Sequence, residues 1–203
     1  MTESTDRASV PRIPALPLSQ WPDEMSEFVA RLRSNVVTQD DEASRTAGMN
    51  IVGTLANHPA LAMAYLTFNA QLLTGNSLTT RQRELLILRV AHLRRSDYEW
   101  AQHALIAKDV GISAEETARV AEGPHAEGWS HVERVMLTAV DDLILDGAIS
   151  ADTWTELGEY FGHTRQIDLV FTVGTYAMLA MALRSFAVEP EPALVPHLPS
   201  QPR

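Results

Sequence analysis

Four polar residues have types and spacing that could do chemistry: Glu84, then eleven residues to Ser96, two to Glu99 and three to His103. On a helix, residues four apart share a face, so Glu99 and His103 are neighbours and Ser96 lies one turn earlier. A carboxylate beside an imidazole is an acid–base pair. The carboxylate orients the ring and raises its basicity, and the ring takes or gives a proton near neutral pH. Glu84 is followed by Leu85, Leu86, Ile87 and Leu88. Burial there disfavours a charged carboxylate unless it finds a partner, for which Arg83, Arg89 and the Arg94-Arg95 break are candidates. Plainer readings stand beside these. Ser96 and Glu99 fit a helix capping box, Glu84 a structural ion pair, and His103 a core or interface histidine; cap and site can coexist in the same residues.

Tyr98 and Trp100 flank the pair and are expected as a pocket wall for substrate, or as a subunit contact. Tyr65, Phe68, Tyr176 and Met178 sit on other apolar stretches and could shape a pocket for a ring-containing substrate, with core packing the default. Glu84, Glu99, His103 and His92 also form a carboxylate–histidine set. Di-iron bundles, however, use a Glu-x-x-His pair supplied twice, whereas here Glu and His are four apart and the pattern occurs once. No metal is expected. Without a Gly-rich phosphate loop, a nucleophile elbow or a dinucleotide fingerprint, no cofactor is expected either.

The elements that must position these residues are helices. Nothing alternates as a strand would, while Thr79-x-x-Gln82, Ser96-x-x-Glu99, Ser113-x-x-Glu116 and Ser130-x-x-Glu133 all read as capping boxes. The expected segments are 22–33, 46–56, 58–74, 79–94, 96–110, 113–121, 130–146, 150–160 and 163–187, broken at Gly75-Asn76, Gly111, Gly123-Pro124 and Gly147. Segments 79–94 and 163–187 are the most apolar and are expected at the centre. Thr80-Arg81-Gln82 recurs as Thr164-Arg165-Gln166, a faint sign of two related helical units. Residues 1–20 are expected as an extended N-terminal arm, 21–188 as one all-α domain and 189–203 as a Pro-rich C-terminal tail. Such ends are either disordered or wrap a neighbouring subunit.

The spacing of Glu84, Ser96, Glu99 and His103 resembles the AhpD-like motif Glu-x11-Cys-x2-Cys-x3-His, with Ser96 and Glu99 where the cysteines would be. In that family the cysteines form the peroxide-reducing dithiol, and the glutamate and histidine relay protons to it. With no cysteine in the chain, the sequence looks like the carboxymuconolactone decarboxylase side of the superfamily, where a Glu-x-x-x-His pair, here Glu99 and His103, occupies the same place. In the decarboxylases the position of Glu84 is not a glutamate, so this chain combines features of both types. Residues 57–111 look like the family's helix order, and the rest through Ala187 is compatible.

The resemblance implies an AhpD-like helical fold, self-association, and a cofactor-free decarboxylase or proton-shuffling lyase acting on a small organic acid, lactone or carbonyl compound. His103 would be the general base or acid, Glu99 would orient it, Glu84 would be a second proton carrier, and Ser96 would hydrogen-bond the substrate or Glu99. The alternative is a non-catalytic small-molecule-binding or scaffold member that has lost the dithiol; a dithiol peroxidase is excluded by composition.

Composition narrows the partners. The chain has 203 residues, 45% of them hydrophobic, enough for one domain with a real core. A net charge of -10 repels nucleic acid and anionic membrane surfaces. No stretch approaches the roughly 20 uninterrupted apolar residues of a span, and Met1–Arg12 lacks a signal peptide's pattern. A cytoplasmic protein with a small-molecule substrate is expected.

Overall fold

The computed structural model describes residues 10–36 and 46–199, and the statements below concern those residues. They form nine α-helices and no strand: α1 (Asp23–Val36), α2 (Met49–Leu55), α3 (Pro59–Thr74), α4 (Thr80–Leu93), α5 (Asp97–Asp109), α6 (Ala114–Glu122), α7 (His131–Leu145), α8 (Ala151–Tyr160) and α9 (His163–Phe186). The all-α architecture read from the sequence is the observed one. Short 3-10 helices lie at Leu18–Gln20 and Pro192–His197.

Helix α4 is the axis of the molecule. Every residue from Arg83 to Ala91 is buried. One side of it, Leu86, Ile87 and Val90, packs on Val135, Met136 and Val140 of α7, Leu157 of α8, and Leu169, Val173 and Tyr176 of α9. The other side, Leu85, Leu88 and Ala91, meets Trp100 and Ala107 of α5, Val120 of α6 and Trp129. A third cluster joins Trp21, Met25 and Val29 to Ala62 and Leu66 of α3.

Helix α9 is central on one face only. Ile167, Phe171, Met178 and Met181 are exposed, and half of its most apolar window lies inside the protein. By length and composition α9 meets the requirements for a membrane span, although the sequence reading found no such stretch; the same apolarity serves its buried face. The shared Thr-Arg-Gln tripeptides sit in different registers, because α4 begins at Thr80 whereas α9 begins one residue before Thr164.

Where described, the two ends lie on their own chain. Arg12 N–H donates to Phe186 O at 2.8 Å and Leu16 N–H to Gly53 O at 3.0 Å. In the tail, Leu194 is fully buried, and the buried Glu191 accepts from the Asn50 N–H at 2.8 Å and the Tyr98 hydroxyl at 2.9 Å. The remaining residues of both ends fall outside the described residues.

Candidate functional site: a buried glutamate–histidine pair and an unpartnered acid

Glu84 and His103 meet because α4 and α5 are joined by a tight corner. The Ser96 N–H reaches back to Ala91 O at 2.9 Å and the Arg95 N–H to His92 O at 3.1 Å, and Arg95 takes the left-handed conformation at φ 53°. This is a Schellman-type closure of α4. Left-handed backbone disfavours a side chain such as arginine's, so packing on both sides must hold it. The corner lays α5 against α4 and buries Ser96.

His103 Nδ1 lies 2.6 Å from Glu84 Oε2. The Arg83 Nε–H donates to Glu84 Oε1 at 3.2 Å, and another Arg83 nitrogen donates to Leu73 O at 2.8 Å. Glu84 and His103 are 0% and 5% exposed, yet each oxygen of Glu84 has a donor. With the carboxylate accepting from Nδ1–H, Nε2 is the nitrogen left for proton transfer, and no protein group occupies it. Arg89, the other candidate partner, instead grips Asp141 through two bonds of 2.7 and 2.8 Å.

Glu99 is the opposite case. It is 1% exposed and neither of its oxygens has a hydrogen-bond partner. Burial drives its carboxyl pKa well above the ordinary 4.5, so the group is held as the neutral acid. Glu99 therefore does not orient the histidine ring as expected; Glu84 does. Nor does Ser96 cap α5. Its hydroxyl makes no cap bond and has no partner, whereas Thr79, Ser113 and Ser130 form full capping boxes with Gln82, Glu116 and Glu133.

The structure brings Glu84, His103, Ser96 and Glu99 to one region between α4 and α5 and directs Tyr98 and Trp100 elsewhere. Tyr98 spends its hydroxyl on Glu191 and packs with Ile51 and Leu183; Trp100 belongs to the α4–α5–α6 cluster, with its ring 6.2 Å from that of His92. Consecutive helix positions point about 100° apart, so residues 98 and 100 cannot share the face of 99. Two aromatics that sequence reasoning assigned to packing stand here instead. The Tyr176 ring meets the His103 ring edge-on at 5.0 Å and 90°. Its phenol is pushed up first by burial and then by Glu84, with Arg83 opposing. Tyr65, on α3, has a buried, unpartnered hydroxyl, pushed up chiefly by burial. No sequence signal marked either tyrosine beyond a phenol within an apolar helix. Among the described residues no group of three or more His, Asp or Glu side chains is placed to hold a metal ion.

Residues 59–142, from the start of α3 into α7, match the carboxymuconolactone decarboxylase family. The fold is shared with three solved structures. An AhpD-core, uncharacterized peroxidase-related protein from Ralstonia eutropha JMP134 is 17% identical, with TM-score 0.73 over 90% of this chain and 94% of that one. The debrominase Bmp8 is 14% identical, with TM-score 0.74 over 91% and 95%. An uncharacterized peroxidase-related protein from Silicibacter sp. TM1040 is 16% identical, with TM-score 0.71 over the full length of both. No curated protein matches the chain in sequence. The chain, which has no cysteine, thus matches the carboxymuconolactone decarboxylase family over residues 59–142 and shares the AhpD-like fold.

Proposed function

We propose that the chain is a cofactor-independent acid–base enzyme of the lyase or decarboxylase type, acting on a small organic acid, lactone or other carbonyl compound. The observation that carries this reading is the buried Glu84–His103 bond, which fixes the ring by Nδ1 and leaves Nε2 for substrate. The family match over residues 59–142 and a debrominase among the structural neighbours support an enzyme-like protein. In the decarboxylase form, loss of CO2 from a substrate carboxylate leaves the bonding pair on carbon, delocalised to an adjacent carbonyl oxygen. The pair returns to carbon by taking the proton from Nε2 of the His103 cation, and the neutral ring regains a proton from water. Glu84 supports the cation and Arg83 holds Glu84 in place. Ser96 and Glu99 offer the substrate a hydroxyl and an acid proton.

A panel of small lactones, 2-oxo acids and 3-oxo acids tests this. One class should turn over, with His103→Ala lowering kcat about 100-fold or more while circular dichroism stays unchanged. A folded wild type that converts none, or a His103→Ala variant that converts as well as wild type, overturns the reading in favour of a binding or scaffold member.

We infer also that the chain self-associates through α9. Ile167, Phe171, Met178 and Met181 repeat at spacings of four, seven and three residues on one exposed face, a heptad-like seam. Phe68 of α3 extends it by an edge-on contact with Phe171 at 6.2 Å. Light scattering should give an oligomer for wild type and a smaller species for Phe171→Glu/Met178→Glu; equal masses would remove this surface as the interface.

A further inference from the structure

Away from the acid–base pair, a cleft and an unpaired polar group meet at the corner between α8 and α9. The cleft is open, about 400 Å³ in volume, and its lining includes the buried Phe161 and Gln166 beside Trp154, Gly158, Gly162 and His163. Gln166 is 4% exposed, and no hydrogen bond joins its side-chain amide to any described residue. A buried amide without a protein partner is completed by water or a ligand. Its Nε2 would lie 3.8 Å from a Cβ at Gly158, so the absence of a side chain there leaves space beside the amide. The N-terminus of α9 opens on the same cleft through Gly162 and His163. This helix has 24 residues, and no side chain accepts from its first N–H groups, whereas Thr79, Ser113, Ser130 and Ser150 do so for α4, α6, α7 and α8. Free N–H groups at the positive end of a helix favour an anion. None of the lining residues is acidic, although the chain carries a net charge of -10, and the Arg165 guanidinium lies over the Phe161 ring, 5.8 Å from its centre.

We propose that this cleft is a binding site for a small aryl carboxylate, separate from the Glu84–His103 pair. The carboxylate accepts from the free N–H groups in the first turn of α9 and from the Gln166 amide, and Arg165 adds positive charge at the rim. The ring of the ligand lies against Trp154, which is 45% exposed and offers a flat apolar surface that a second ring covers well. The donor set fixes the class. Two oxygens of one carboxylate can take a backbone donor and a side-chain donor together, and a cation would find no acid in the lining. Tyr176, whose ring meets that of His103, follows Gln166 by ten positions on α9, about 15 Å along the helix axis. The cleft is therefore a second site, and it stands independently of the chemistry proposed for His103.

Trp154 supplies the readout. Of the four tryptophans, Trp21, Trp100 and Trp129 are each 6% exposed, so benzoate added to the full chain should change the fluorescence of Trp154, and Trp154→Phe should abolish the change. Benzyl alcohol, which keeps the ring and lacks the anion, should have no such effect. Gln166→Leu should weaken benzoate about tenfold. Gly162→Ser adds a capping hydroxyl where nothing lies within 4 Å of the new Cβ. It should raise the Tm slightly and weaken benzoate by a similar factor, because the hydroxyl competes for the same N–H groups. Gly162→Ala, which leaves those groups free, should bind within a few-fold of wild type, and His103→Ala should bind as wild type does. The proposal is overturned by a wild type with no saturable response to benzoate, by equal affinity in wild type, Gln166→Leu and Gly162→Ser, or by benzyl alcohol binding as tightly as benzoate. Binding that is lost in His103→Ala overturns it too, since the acid would then sit at the Glu84–His103 pair.

Discussion

Two buried glutamates, one on each of two neighbouring helices, have been given opposite lives. Glu84 sits between the Arg83 guanidinium and the His103 ring with a donor on each oxygen. Glu99, equally buried, has none. Position relative to positive charge separates them: α4 places an arginine beside its carboxylate, while no donor reaches either oxygen of Glu99 on α5. A buried charge is tolerated when paired and hydrogen-bonded, and otherwise the group gives up its charge. The neighbouring helices α4 and α5 thereby hold a fixed base-and-carboxylate couple and a neutral acid, the separation of roles that proton-transfer sites need.

The comparison breaks most visibly in stability. Glu84→Leu strips the partner from a buried guanidinium and from the ring, and should cost about 3–5 kcal/mol, read by urea unfolding. Glu99→Leu removes an unsatisfied group of similar volume and should stabilise by about 1–3 kcal/mol. Equal and unfavourable effects at both positions would mean that Glu99 has a partner after all. Glu99 also carries a pH dependence. The folded-state pKa of Glu99 lies above its unfolded value near 4.5, so the folded state holds the proton more tightly. The contribution is full below the unfolded value and is lost as pH rises through the folded one. Wild-type stability should decline across that interval, and the part of the decline due to Glu99 should vanish in Glu99→Leu.

Periodicity and caps made the helices legible before the structure. The segment expected at 79–94 is Thr80–Leu93, that at 130–146 is His131–Leu145, and that at 163–187 is His163–Phe186, because Thr79, Ser130 and Gly162 stand at the N-caps and act locally. The AhpD-like resemblance, carried by Glu84, Ser96, Glu99 and His103, is likewise that of the observed fold. Which carboxylate orients His103 was not legible. A spacing of four puts Glu99 and His103 on one face of α5, but it cannot show that α4 passes close enough for Glu84 to take the ring nitrogen first. The tyrosines were hidden for the same reason, since Tyr65 and Tyr176 reach the site only through the packing of α3 and α9. Arg95 gave no sign of its left-handed turn, which in sequence is usually signalled by glycine.

Ser96 shows how a local rule yields to a site, and the smallest effect measures it. Ser96-x-x-Glu99 and Ser130-x-x-Glu133 are the same pattern, but only the second closes: Ser130 Oγ lies 3.4 Å from the Glu133 N–H, and the Glu133 carboxylate accepts from the Ser130 N–H at 3.1 Å. At α5 the serine N–H is already taken by Ala91 O in the corner, so Glu99 loses the donor that a capping box would offer and turns inward. Ser130→Ala should cost about 1 kcal/mol, while Ser96→Ala, which deletes a hydroxyl that makes no bond, should cost a few tenths at most or stabilise slightly. Equal losses in thermal unfolding would show that Ser96 does cap α5 in solution, and Glu99 would then be drawn back to the helix end and away from the acid role.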